Sequence, residues 1–145
     1  MQTSLRIGTI LKGRYRIEEV IAQGGFGITY LATDMLLENK IVIKEFFMKG
    51  NCNRNNETRN VEISTRGFTK QFTIFKSKFI KEAKTLYNLN FSKNIVHVHD
   101  VFEENGTAYY TRASLLKCIH NFSIHFICVF NTIYAINNTV VTLHL

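Results

Sequence analysis

A glycine-rich turn between two apolar runs constrains this chain more than any other feature. Gly24, Gly25 and Gly27 separate an apolar run that ends at Ile21 from the alternating residues 28–33. Alternation with a period of two is typical of a strand, so the glycines are predicted to lie at the tip of a β-hairpin. Glycines tolerate positive φ and leave room for backbone N–H groups to approach an anion. The turn alone is also compatible with an ordinary flexible hairpin.

A lysine ends the next apolar run, and a helical segment supplies its predicted acidic partner. Lys44 follows the strand-like residues 41–43, and a buried lysine is unfavourable without an opposite charge. Residues 72–89 carry apolar side chains at helical spacing. Glu82 lies three residues after Phe79, so it shares the apolar face of that helix. The spacing therefore predicts that Glu82 meets Lys44 against the sheet.

Four sequence motifs occur in order along the chain: AQGGFGITYLA, IVIK, FIKEAKTL and NIVHVHDVFEENGTAYY. In this order they resemble the amino-terminal lobe of a bacterial serine/threonine protein kinase, over about residues 11–110. The resemblance implies an α+β fold, a five-stranded antiparallel sheet with one main helix. It also implies the family activity, which is ATP-dependent phosphorylation of serine and threonine in proteins.

The same resemblance assigns nucleotide-binding roles to particular residues. The glycine turn would cover the phosphates of ATP, Lys44 would hold the α- and β-phosphates, and Glu82 would orient Lys44. Thr29 and Val42 would form part of the roof over adenine. The implied cofactor-binding residues are Gly24, Gly25, Phe26, Gly27, Thr29, Val42, Lys44 and Glu82.

Two positions depart from the family pattern. Ala22 stands where the first loop glycine is usual, and Val42 stands where a small alanine is usual. The first change is expected to reduce the mobility of the loop, and the second to narrow the adenine slot. Neither is expected to abolish binding.

Residues 47–71 lose the apolar periodicity and are rich in asparagine and arginine. This polar insertion cannot bury enough apolar area to offset the entropy of ordering, so a solvated loop is predicted. Residues 61–65 could still form a short strand, and a docking loop for a regulator is the functional alternative.

A second hairpin is predicted further along the chain. Asn-Gly at 105–106 predicts a turn between strands at 95–102 and 107–110.

The composition changes abruptly after Tyr110. All 11 acidic residues and all 8 glycines precede this point. The resemblance would place a hinge, a catalytic loop and an Asp-Phe-Gly motif here, and residues 111–145 contain none of them. The apolar tail is therefore interpreted as the product of a shifted reading frame or as an unrelated end. Residues 119–136 could form a marginal membrane segment or a strand.

The remaining composition excludes several classes of site. The formal charge is +7, but the basic residues are scattered, so no nucleic-acid interface is predicted. Three cysteines without CxxC spacing indicate reduced thiols. His97 and His99 could chelate a metal only with a third ligand, so no metal site is predicted. The first ten residues lack the pattern of a secretory signal, so a cytoplasmic location is expected.

Three functions remain open. The first is the ATP-binding part of a kinase that lacks the catalytic base and the protein ligands for Mg²⁺, and is therefore inactive alone. The second is a non-catalytic nucleotide-binding or regulatory interaction module. Its partner would be a kinase or another protein that covers the exposed surface of the lobe. The third is a small membrane-associated protein that uses the tail.

Overall fold

The computed structural model describes residues 3–88 and 97–113, and these form eight strands and one helix. The helix α1 spans Thr69–Asn88. The strands are β1 (Ile10–Leu11), β2 (Tyr15–Gln23), β3 (Gly27–Asp34), β4 (Asn39–Phe46), β5 (Cys52–Arg54), β6 (Val61–Ile63), β7 (Val98–Glu104) and β8 (Thr107–Ala113).

Six of these strands form one antiparallel sheet in the order β1-β2-β3-β4-β8-β7, and β5 pairs with β6 separately. Helix α1 packs against β7 and β8. This arrangement confirms the predicted α+β fold, an antiparallel sheet with one main helix. Strands β2, β3, β4, β7 and β8 correspond to the five predicted strands. The short β1 is added because the chain turns at residues 12–14 within the first predicted strand.

One face of the sheet forms the main core of the lobe. Its buried side chains come from paired positions on neighbouring strands. For example, Tyr30 of β3 is paired with Ile43 of β4, and both side chains are buried. Leu5 and Leu11, from the start of the chain, and Phe47, which follows β4, belong to the same buried cluster. Alternation of buried and half-buried positions along β3 is therefore the pattern that builds this core.

A series of aromatic contacts joins α1 to the opposite face of the sheet. The ring of Phe46 on β4 lies 5.2 Å from Phe72 and 5.7 Å from Phe79, measured between centroids. Phe79 in turn lies 5.2 Å from Tyr110 of β8. Ala83 is fully buried one turn further along, where its small side chain allows close packing.

Part of the segment between β4 and α1 is folded and buried rather than the solvated loop that its composition predicted, and the short strand that was possible at residues 61–65 is present as β6. It contains the hairpin of β5 and β6, in which Cys52, Arg54 and Val61 are buried. The N–H of Val61 donates to the carbonyl of Asn105 at 2.8 Å, which attaches the hairpin to the β7–β8 turn. The prediction failed because composition does not reveal that a polar side chain such as Arg54 has a distant buried partner.

Element boundaries also differ from the sequence predictions. Helix α1 begins at Thr69, three residues before the apolar pattern suggested. Strand β8 runs past Tyr110 to Ala113 and remains paired with β4. The segment at 119–136 lies outside the described residues. In the ranges that are described, no helix is both long enough and apolar enough to cross a membrane.

An ion pair fixes the turn between β3 and β4. Arg14 donates through Nε and Nη2 to the two carboxylate oxygens of Asp34, at 2.8 and 2.7 Å. The same carboxylate accepts the backbone N–H groups of Leu36 and Leu37. The hydrogen bond from Arg14 is the main reason that the pKa of Asp34 lies below its ordinary value of 3.8.

We expect Asp34→Asn to make folding less sensitive to acid. Because the native pKa of Asp34 is lowered, its ionised form contributes stability above the ordinary value of 3.8. That contribution is lost as the pH falls through the lower native pKa. Urea unfolding between about pH 5 and pH 2 should therefore give a steeper loss of unfolding free energy for the wild type than for the variant. Equal slopes for the two proteins would contradict this role.

Candidate nucleotide-binding site

The glycine turn joins β2 to β3 in a tight loop. The N–H of Gly24 donates to the carbonyl of Gly27 at 2.9 Å. Among the described residues, no glycine of this turn has positive φ, so the tolerance of glycine for that conformation is not used here. Position 27 requires glycine because there is no room for a side chain. A Cβ there would lie 2.9 Å from the carbonyl oxygen of Glu45. The same Cβ position lies 3.7 Å from Cε of Lys44, so the turn approaches the lysine closely.

The carbonyl groups of the turn face the residues that follow β4. The N–H of Lys49 donates to the carbonyl of Gly25 at 3.0 Å, and the N–H of Phe47 donates to that of Phe26 at 3.5 Å. In a trans peptide the N–H points opposite to the C=O. The N–H groups of Phe26 and Gly27 are therefore directed away from these residues.

The strand register places the predicted sheet residues on one face. Lys44 lies opposite Thr29 on β3 and opposite Tyr110 on β8. Val42 is two residues from Lys44, and side chains two apart along a strand point the same way. Its neighbour on β3 is Leu31. The residues that the resemblance assigns to the phosphates and to the base thus lie side by side.

Lys44 is half-buried beneath the glycine turn. Burial lowers the pKa of Lys44 from its ordinary value of 10.5, the negative charge of Glu82 opposes this change, and the positive charge of Arg112 adds to it. In the described ranges, no carboxylate oxygen lies within 4.0 Å of Lys44 Nζ. The structure therefore places Glu82 near the lysine but does not bring the two into a direct ion pair.

Arg112 is a charged neighbour of the site that the sequence did not suggest. It lies on β8 opposite Val42, and therefore on the same face of the sheet as Lys44. Burial raises the pKa of Tyr110 to about 12, Arg112 acts to lower it and Glu82 acts to raise it. Only the strand register could have revealed this neighbour, because Arg112 follows the last recognised motif.

A buried polar cluster lies on the other face of β4, next to Lys44 in sequence. The carboxylate of Glu45 is fully buried and accepts hydrogen bonds from Tyr30 Oη at 2.6 Å and from Tyr109 Oη at 2.8 Å. Arg54 Nη2 donates to the same carboxylate at 2.6 Å. Burial, together with the charge of Glu45, raises the pKa of both tyrosines above the ordinary value of 10.0. No local pattern in the sequence indicates this cluster, because its partners come from separate strands.

Comparison with known proteins gives a consistent result. No family model matches the chain. The chain is 30% identical over 103 residues to a probable serine/threonine-protein kinase of Clostridium acetobutylicum, and 44% identical over 41 residues to the probable serine/threonine-protein kinase YbdM of Bacillus subtilis. The solved PpkA-294 apo form is similar over 78% of this chain and 39% of its own, with a TM-score of 0.71 and 36% identity.

The fold and these similarities together identify a protein-kinase small lobe. The chain carries a kinase amino-terminal lobe, similar to that of bacterial serine/threonine protein kinases. The two curated alignments cover 71% and 28% of this chain, but only 13% and 16% of the relatives. The chain thus corresponds to a small part of each of those proteins.

We expect Gly27→Ala to lower the free energy of unfolding by about 1–3 kcal/mol, because the added Cβ would overlap the carbonyl of Glu45. Gly25→Ala is the matched control, since no atom lies within 4 Å of its Cβ position. Urea unfolding of the two variants and the wild type measures the difference. If both substitutions changed stability equally, the close approach at Gly27 would be refuted.

Proposed function

We propose that this lobe binds ATP, with the phosphates held between the glycine turn and Lys44. The observation that supports this most directly is the space beside the lysine. Gly27 keeps side-chain atoms out of the region next to Lys44 Cε, and Lys44 forms no ion pair in the described part of the chain. An anion that entered there would meet a half-buried cation and a turn without large side chains, apart from Phe26.

The base of the nucleotide would lie further along the same face of β3 and β4. Thr29 and Val42 occupy that face. The side chain of Val42 would leave less room for adenine than an alanine. Glu82 would orient Lys44 once a ligand is bound, since its charge already acts on the lysine. The proposed contacts are therefore Gly24, Gly25, Phe26, Gly27, Thr29, Val42, Lys44 and Glu82.

We further propose that these 145 residues alone bind ATP without transferring phosphate. Transfer requires a carboxylate base and ligands for Mg²⁺. Asp34 and Asp100 are the only aspartates of the sequence, and both are engaged elsewhere. Asp34 pairs with Arg14, while Asp100 pairs with Lys12 at 2.8 Å and accepts a hydrogen bond from Tyr15. In the described ranges no three acidic, histidine or cysteine side chains lie together as ligands for an ion, so these residues do not fit a Mg²⁺ site, and we assign none.

A regulatory module remains the second candidate, because α1 exposes apolar side chains. Ile74 is 45% exposed, Phe75 is 36% exposed and Tyr87 is 51% exposed. Contiguous exposed apolar groups are typical of a surface that another protein covers, and Ile74 and Phe75 are neighbours on α1. Under this proposal the lobe would pair with a kinase or another protein, and ATP would be a ligand rather than a substrate.

ATP should raise the melting temperature of the wild-type chain, and Lys44→Met should abolish most of that increase. At a ligand concentration 100 times the dissociation constant, binding stabilises a protein by about 2.7 kcal/mol. Lys40→Met is the matched control, because Lys40 is an exposed lysine of the same strand and contacts Thr33 and Glu18 instead. Thermal unfolding with and without ATP tests this. A folded wild type without any shift would refute the proposed function.

The wild-type chain should incorporate no phosphate into itself or into a general protein substrate in the presence of ATP and Mg²⁺. The physical reason is that both aspartates are held in ion pairs away from Lys44. Radiolabelled ATP provides the measurement. Incorporation that disappears in Lys44→Met and persists in Lys40→Met would contradict the proposal of binding without transfer.

A further inference from the structure

Residues 47–54 form a short segment that holds the glycine turn from behind, and we name this segment the brace. Two of its N–H groups, those of Phe47 and Lys49, donate to carbonyls of the turn. The side chain of Phe26 gives a much weaker attachment, because it is 64% exposed and its ring centroid lies 6.1 Å from that of Phe75. The backbone hydrogen bonds to the brace therefore hold the tip of the turn, in addition to the pairing of β2 with β3 and of β3 with β4 at its base.

The brace is itself a compact structure. The N–H groups of Asn51 and Cys52 both donate to the carbonyl of Met48, at 3.1 and 3.0 Å, which closes a turn after β4. Cys52 is buried, and it begins strand β5. The brace therefore links the end of β4 to Arg54 through only a few residues with fixed backbone conformation.

Arg54 anchors the far end of the brace. Its guanidinium donates to Glu45 Oε1 at 2.6 Å, to the carbonyl of Thr3 at 2.8 Å and to the carbonyl of Arg59 at 2.9 Å. The side chains of Arg54 and Glu45 are 3% and 0% exposed. A planar guanidinium with several donors is suited to fixing three acceptors at once, whereas an apolar side chain would leave Glu45 as a buried charge without its cation.

The anchor and the proposed phosphate site share one strand. Glu45 follows Lys44 directly on β4, with the two side chains on opposite faces of the sheet. The glycine turn crosses the end of this strand, where the Cβ position of Gly27 is close to the carbonyl of Glu45. The ion pair between Arg54 and Glu45 therefore fixes the brace relative to the same stretch of β4 that carries the lysine.

We propose that Arg54 is a positioning residue for nucleotide binding, which acts through the brace on the glycine turn. It does not touch the nucleotide. By holding the brace against β4, it keeps the carbonyls of Gly25 and Phe26 turned toward the brace and the opposite N–H groups available to the phosphates. This proposal rests on ATP binding as the function of the lobe.

Hydrogen exchange in the full chain without nucleotide tests whether Arg54 holds the brace against the glycine turn. In Arg54→Met, the amides of Phe47 and Lys49 should exchange about tenfold faster relative to the amide of Ala32 in β3. The control is Arg14→Met, which removes the ion pair with Asp34 at the other end of β3. The control should instead accelerate the amides of Leu36 and Leu37, which donate to Asp34. Unchanged exchange at Phe47 and Lys49 in Arg54→Met would overturn the proposal.

Calorimetric titration with ATP, well below the melting temperature of each variant, tests the functional part. Arg54→Met should weaken binding about fivefold or more through loss of preorganisation, while Arg14→Met should leave the dissociation constant within about twofold of the wild type. If Arg54→Met does not fold, Arg54→Lys replaces it, since lysine keeps the charge beside Glu45 and lacks the fork that reaches Thr3 and Arg59.

The outcomes separate this proposal from the proposed function. Faster exchange with weaker ATP binding supports the role of Arg54, and faster exchange with unchanged affinity refutes it. If the wild type binds no ATP, the proposed function fails, and the exchange result alone then supports or refutes control of the turn by Arg54.

Discussion

The carboxylate of Glu45 is the group on which the rest of the lobe depends. It is fully buried, and an ionised carboxylate without partners would be strongly unfavourable in such a place. Its donors come from β3, β5 and β8, so the carboxylate is satisfied only when distant parts of the chain are in place together. Removal of one donor would leave a partly satisfied buried charge, a defect that is typically more severe than the loss of a surface ion pair.

Strand β4 connects this cluster to the proposed site. Lys44 and Glu45 are consecutive residues of opposite charge, and the pleat of the strand sends them to opposite faces. On one face Glu45 is satisfied by three side chains, whereas on the other Lys44 forms no ion pair among the described residues. The strand thus separates a charge that stabilises the fold from a charge that we propose to hold phosphate.

The sequence predicted the elements with local signals well and those with distant partners poorly. Alternation along residues 28–33 indicated β3, and helical spacing indicated α1, because each pattern is contained within one element. The resemblance to a kinase lobe implied that Thr29 and Val42 lie in one site with Lys44, and the strand register places the three residues on one face. By contrast, the burial of Arg54 depends on Glu45, Thr3 and Arg59 in the folded chain. Local composition could only describe that segment as polar.

The buried thiol of Cys52 can report the opening of the brace, because alkylating reagents reach it only when the brace leaves the sheet. Burial is the main reason that the pKa of this thiol is raised above its ordinary value of 9.0, so it is protonated and shielded in the closed structure. A thiolate reacts with alkylating reagents far faster than a buried thiol. The modification rate of Cys52 therefore reports how often residues 47–54 separate from the sheet, and a ligand that tightens the glycine turn would slow that reaction without touching the cysteine.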